Sequence, residues 1–308
     1  MRDIEAALEA HRNEALVPDA AIESFLAPAR EFALLSTGHG FAMSAADVAD
    51  LAAVRERTLG LLTEWFDRLI DMAAQRRRNL VRFKDVAVVS LGCDCVSRAV
   101  LARWGLKRTA KLGELTGPFD LAVHPPESVR DLVLGGFAGY MDPAELEYRP
   151  GEQVCIHRRY VVHFNHDVGP DYAADEFAKL RETYARRIAT FHAAVATSEP
   201  LALVAHVPHF IELFPGRVDC LRQVRDHIAE RRSAATTLII VQSVAPGQTA
   251  MTETEADDFV LRAVPLPTAD YVWHWPQCYM SAAGQDYERR IIAIVGERLE
   301  RLRAAATG

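Results

Sequence analysis

Three short runs of apolar, largely β-branched residues stand out along the chain: Val86-Ala87-Val88-Val89, Leu201-Ala202-Leu203-Val204 and Leu238-Ile239-Ile240-Val241. A run that is apolar at every position, rather than at alternate ones, reads as a strand buried on both faces. Between these runs apolar residues recur every three to four positions, the spacing of helices with one buried face. Phe177, Leu180, Tyr184, Ile188, Phe191 and Val195 form one stripe, and Val218, Leu221, Val224 and Ile228 form another. A last stripe of Tyr287, Ile291, Val295, Leu299 and Leu302 predicts a closing helix. Strands alternating with helices require a mostly parallel sheet covered on both sides. The expected fold is therefore α/β, a three-layer sandwich with a mostly parallel central sheet.

The first 80 residues have a different character. They are rich in Glu, Ala and Leu and punctuated by Pro18, Pro28 and Gly38-His39-Gly40. From Ser44, a good N-cap with Asp47 in the first turn, residues Leu51, Val54, Leu62, Phe66 and Leu69 recur at helical spacing. This predicts a helical N-terminal extension over residues 1–80, appended to an α/β domain over residues 81–308. Residues 106–170 break the alternation, with several turns and two or three short strands, one of them at 159–164. Such irregular stretches between scaffold elements are where functional residues concentrate.

Composition narrows the function. Half of the 308 residues are hydrophobic and a quarter charged, the profile of a folded globular chain. A net charge of -7 argues against a nucleic-acid partner, which would need concentrated Lys and Arg. The one basic cluster, Arg76, Arg77, Arg78, Arg82 and Lys84, is expected to be a solvated helix end favoured by the helix dipole. No stretch approaches the roughly 18 uninterrupted apolar residues of a membrane span. Met1-Arg2-Asp3-Ile4-Glu5 also lacks the apolar core of a signal peptide, so a cytoplasmic location is expected. Five irregularly spaced cysteines do not make a disulfide framework. No glycine-rich phosphate fingerprint is present, and no cofactor is expected.

The sharpest candidate chemistry lies at Ser90-Leu91-Gly92-Cys93-Asp94-Cys95, which leaves the first strand and opens a helix ended by Gly105. Cys95 falls at the first turn, where unsatisfied amides and the positive end of the dipole favour a thiolate. The same amides, around Gly92 to Val96, would hold an oxyanion. The competing reading is that Cys95 is small core filler, a frequent fate of free cysteine.

Ser90-Leu91-Gly92-x-x-Cys95, then Gly105-Leu106, Gly117-Pro118-Phe119-Asp120, His166-Asp167 and Tyr184-Ala185-Arg186-Arg187-Ile188, resemble in order a bacterial family described as papain-like cysteine peptidases. The likeness covers roughly residues 85–245. Leu121 stands where that family commonly has tryptophan, and Cys93 is not required by it. The resemblance implies a thiol nucleophile at Cys95 and a histidine base at His166, and it allows an α+β papain-like fold as the alternative architecture. A cysteine nucleophile needs such a base and a third group to orient it. His163 and His166 flank Asn165 near a strand end, and Asp120, in a turn after Pro118, is the leading orienting carboxylate. Its bland alternative is to cap that turn. Ser90, Gly92, Asp94, His163 and Asn165 are the expected substrate contacts.

The resulting expectation is a cysteine-dependent hydrolase or acyltransferase acting on a small-molecule, glycan or peptide substrate. Three readings compete. Cys93-x-Cys95, Cys155-x-His157, His163-x-x-His166 and His206-x-x-His209 are zinc-ligand types, though none has a strong metal spacing. Cys93 and Cys95 together suggest a redox pair. A non-catalytic binding domain for a small molecule or glycan would use Cys95, His206 and Gln242 to Ser243 at the ends of the strands, with Trp273-His274-Trp275-Pro276 as an aromatic wall.

Overall fold

The computed structural model describes residues 45–108 and 116–307. The readings placed on residues 1–44, including the Ser44 cap, lie outside the described residues. Helix α1 (Ala45–Arg82) leads into strand β1 (Ala87–Ser90), and the strand passes through a tight turn into α2 (Val96–Arg103). Helix α3 (Pro126–Leu134) follows, then strands β2 (Leu146–Arg149), β3 (Val154–His157) and β4 (Val162–Val168), and helix α4 (Ala174–Val195). The chain then alternates: β5 (Leu201–Val207), α5 (Pro215–Ala229), β6 (Thr236–Val244), β7 (Thr254–Ala256), β8 (Phe259–Pro265) and the closing helix α6 (Ala282–Thr307).

The fold is mixed α/β. Its central sheet has the order β1-β5-β6-β8-β7, parallel except for the antiparallel edge strand β7. A separate antiparallel sheet, β2-β3-β4, is made by the irregular region. All seven residues of β5 are buried. Leu201, Leu203 and Ala205 pack on one face against residues of α3, α4 and α5, whereas Ala202 and Val204 pack on the other against residues of α1, α2 and α6. That double burial is why these strands read as continuous apolar runs. Each fully buried aliphatic side chain contributes roughly 1.5–3 kcal/mol. Strand β8, with Arg262 interrupting its apolar run and Pro265 at its end, was not among the expected strands; it extends the parallel sheet beside β6.

Four residues of the basic cluster, Arg77, Arg78, Arg82 and Lys84, are exposed as expected, and Arg76 departs from expectation. Arg76 is buried, and its Nε donates to the Ala102 carbonyl at 3.2 Å, while Asn79 Nδ2 donates to Trp104 O at 2.8 Å. Carbonyls at the end of a helix have no intrahelical donor, so α1 supplies the partners that terminate α2. Gly105, at φ +77°, makes this approach possible: a Cβ there would stand 2.3 Å from the Arg76 carbonyl oxygen. A buried ion pair between Arg103 and Glu288, joined by Trp104 Nε1 donating to Glu288 Oε2 at 2.6 Å, ties α2 to α6.

Candidate active site

The turn after β1 is built by two successive left-handed residues, Gly92 at φ +76° and Cys93 at φ +68°. A non-glycine residue in that region is strained and persists only when its surroundings hold it. Ser90 Oγ accepts from the Gly92 amide at 3.2 Å and bonds Ser97 Oγ at 2.6 Å, stapling the turn from inside. Cys93 is driven into the core beside Phe119, where burial pushes its thiol far up. Asp94 and Cys95 emerge on the opposite side. Cys95 is the N-cap residue of α2, and Asp94 Oδ1 accepts from the Val96 amide at 2.9 Å.

Cys95 Sγ lies 3.1 Å from His166 Nε2. Asn165 Nδ2 stands 4.0 Å from the same sulfur. Both partners come from β4, where strict alternation would send neighbouring residues to opposite faces. The pairing of β3 with β4 is irregular between Val154 and Ile156, opposite the stretch from His163 to Val168, and both Asn165 and His166 are exposed while Asp167 turns inward. An irregularity of this kind re-aims side chains next to functional sites. Asp167 is buried and held by two hydrogen bonds from Arg187, at 2.5 and 3.0 Å.

These groups open onto a cavity of about 580 Å³ beyond the carboxyl ends of β1, β5 and β6. Its wall includes Val123, Phe210, Leu266, Tyr271, Trp273 and His274. Cys95 is only 3% exposed. Burial, reinforced by the negative charge of Asp94 and opposed by the Asn165 hydrogen bond, pushes its thiol up to about 12. Burial also holds the His166 imidazole below its ordinary value, with the Asp167 carboxylate acting the other way. Desolvation thus works against the thiolate that the helix terminus favours, and against the imidazolium that would accompany it.

Of the expected site residues, Cys95, His166, Asp94 and Asn165 converge on the cavity. Asp120 does not join them. Its Oδ2 accepts from the Gly117 amide at 2.7 Å, the turn-capping alternative, and no hydrogen bond connects it to His166. Ser90 and Asp120 instead line a separate cavity of about 210 Å³. Gly92 is turned toward Phe119, and a Cβ there would lie 3.3 Å from Phe119 Cβ. His163 is half-buried one stretch earlier on β4 and exchanges backbone hydrogen bonds with Val123. The expected amide cradle is also altered, because Ser90 and Asp94 occupy the Gly92 and Val96 amides. Among the described residues the Cys95 amide has no acceptor.

His206, Ser243 and Tyr287 were not expected as a set. Asp94 accepts from His206 Nδ1 at 2.8 Å, His206 Nε2 meets Ser243 Oγ at 2.7 Å, and Ser243 Oγ meets Tyr287 Oη at 2.6 Å. The signal available for His206 and Ser243 was their position at the ends of buried strands; Tyr287 read only as a member of the apolar stripe of its helix. Among the described residues no three His, Cys, Asp or Glu side chains converge in a metal-binding group. No protein-family profile, curated protein or solved structure matches the chain.

Proposed function

We propose that the chain is a cysteine-dependent acyl hydrolase or acyltransferase. The observation that carries this reading is the 3.1 Å approach of His166 Nε2 to Cys95 Sγ at the floor of a cavity. His166 takes the thiol proton as Sγ attacks an acyl carbonyl, so charge separates only during reaction. The tetrahedral oxyanion is met by the Cys95 amide and by Asn165 Nδ2, donors of the kind that stabilise such charge. Protonated His166 then delivers its proton to the leaving group, leaving a thioester that water or another acceptor resolves. The Ser90-Leu91-Gly92-x-x-Cys95 resemblance to papain-like cysteine peptidases favours the same pair. For the architecture, we read the helices on the two faces of the central sheet as a three-layer sandwich. Five free thiols fit a reducing, cytoplasmic compartment.

The test is a thioester or p-nitrophenyl ester substrate, followed by intact mass. A covalent acyl adduct on Cys95, with turnover abolished by Cys95→Ala, supports the proposal; turnover that survives Cys95→Ala overturns it. The aromatic wall around Trp273, Tyr271 and Phe210 favours, as a second reading, a binding site for a glycan or another ligand with a flat apolar face. Saturable binding without any acyl adduct would select it.

A further inference from the structure

The residue before the nucleophile carries a histidine of its own. Asp94, His206, Ser243 and Tyr287 come from the β1–α2 turn, the ends of β5 and β6, and helix α6, and all four are buried. Hydrogen bonds join them in one continuous network. An ionised carboxylate only accepts, so Nδ1 of His206 carries the proton facing Asp94. Nε2 lies 2.7 Å from Ser243 Oγ and 3.3 Å from Tyr287 Oη, and the two hydroxyls are 2.6 Å apart. Asp94 also receives the Val96 amide. Both ring nitrogens of His206 thereby have protein partners, and no hydrogen bond joins His206 to Cys95.

We propose that His206 is a positioning residue: through Nδ1 it holds Asp94, and through Asp94 the turn that sets Cys95 against His166. The proposal rests on the reading of Cys95 and His166 as the reacting pair. It divides His166 and His206, two of the four histidines that line the cavity, by role. His166 has Nε2 on the sulfur and moves the proton. His206 has both nitrogens engaged by protein groups and moves none. The energetic logic is that of any strained turn: Cys93, a non-glycine residue, is held in a left-handed conformation, and strain of that kind survives only where neighbouring contacts over-determine it. The Asp94 carboxylate, bonded to β5 on one side and to the first amide of α2 on the other, is such a contact.

The two ring nitrogens can be tested separately, because an Asn side chain can place an N–H near the former Nδ1 and a Gln side chain reaches the former Nε2. Full-length His206→Asn, His206→Gln, Ser243→Ala and His166→Ala are compared for the rate of Cys95 alkylation by iodoacetamide, read by peptide mass, and for kcat and KM on the ester substrate. Thermal unfolding is run in parallel. The expected result is that His206→Gln loses about tenfold or more in kcat, with KM changed less than about threefold, and alkylates Cys95 as slowly as His166→Ala. His206→Asn recovers most of that loss, and Ser243→Ala loses less than His206→Gln. An Asn variant as impaired as the Gln variant, both melting with the wild type, overturns the proposal. So does a Ser243→Ala loss equal to that of His206→Gln, or labelling of Ser243 by a fluorophosphonate, which would make Asp94–His206–Ser243 a nucleophilic centre in its own right. Wild-type ester turnover together with the wild-type alkylation rate in His166→Ala overturns the parent reading instead, and is distinguished because it involves neither His206 nor Ser243.

Discussion

Cys95 Sγ and His166 Nε2 stand 3.1 Å apart although one is almost wholly buried and the other sits on the exposed side of a β-strand. Their contact places a base at the one sulfur that, among the described residues, faces the cavity. Replacing Cys95 by Ala is expected to abolish acyl transfer. Replacing His166 by Ala is expected to lower kcat by about 10²–10⁴, the usual contribution of a positioned general base. Steady-state ester hydrolysis measures both, and retention of more than a tenth of the activity in His166→Ala contradicts the assignment.

The pH dependence follows from the same burial. With the Cys95 thiol pushed up to about 12, alkylation by iodoacetamide should be slow at neutral pH and climb continuously above pH 9. A plateau reached between pH 5 and 8 would instead reveal a preformed thiolate. Stability should respond in the corresponding sense. Below about 8.5 the thiols are protonated in both states. Above it the unfolded chain releases protons that native Cys93, Cys95 and Cys155 retain, since all three are raised by burial. Their contribution is therefore fully present below that value and lost as pH rises toward 12. Urea unfolding at pH 7, 9 and 10 measures it.

Asp94 acts on Cys95 through its charge as well as through the turn. Asp94→Asn removes a negative charge that raises the thiol pKa, so the alkylation profile should move to lower pH. Ester turnover should fall at the same time as the His206 bond weakens. An unchanged profile would show that the Asp94 charge is not felt at the sulfur.

Asp120 serves the turn and not the histidine. Asp120→Asn should lower stability by about 1–3 kcal/mol through its weakened bond to the Gly117 amide, while kcat changes less than about threefold. A loss of kcat comparable to that of His166→Ala would restore Asp120 as the orienting carboxylate.

Glu288 is fully buried between Arg103 and Trp104. Removing one partner of a buried pair leaves the other uncompensated, so Glu288→Ala should destabilise by about 3–5 kcal/mol. Against a typical total of about 5–15 kcal/mol this is a large fraction. The urea midpoint should drop accordingly, and a change below about 1 kcal/mol would contradict the pairing.

The periodicities that local sterics and solvent impose were legible in the chain. Neighbours such as Leu203 and Val204, both apolar and directed to opposite sides of their strand, announced a sheet covered on both faces. The stripe from Leu180 to Val195 announced α4, and the step from strand to helix placed Cys95 at a helix start. Composition also drew attention to the unpaired cysteines.

Convergence across the chain belonged to the tertiary structure. His166 reaches Cys95 across 71 positions because the irregular β3–β4 pairing turns it to the same side as Asn165, and strand alternation by itself gives no hint of such a slip. His206 meets Asp94 across 112 positions because β5 lies beside β1, and Ser243 meets His206 because β6 lies beside β5. Strand order is set by the packing of whole elements, not by the local pattern of any one of them. The sulfur's electrostatic environment was decided the same way: position at a helix terminus is a local property that favours a thiolate, whereas the desolvation that pushes the Cys95 thiol up depends on everything folded around it.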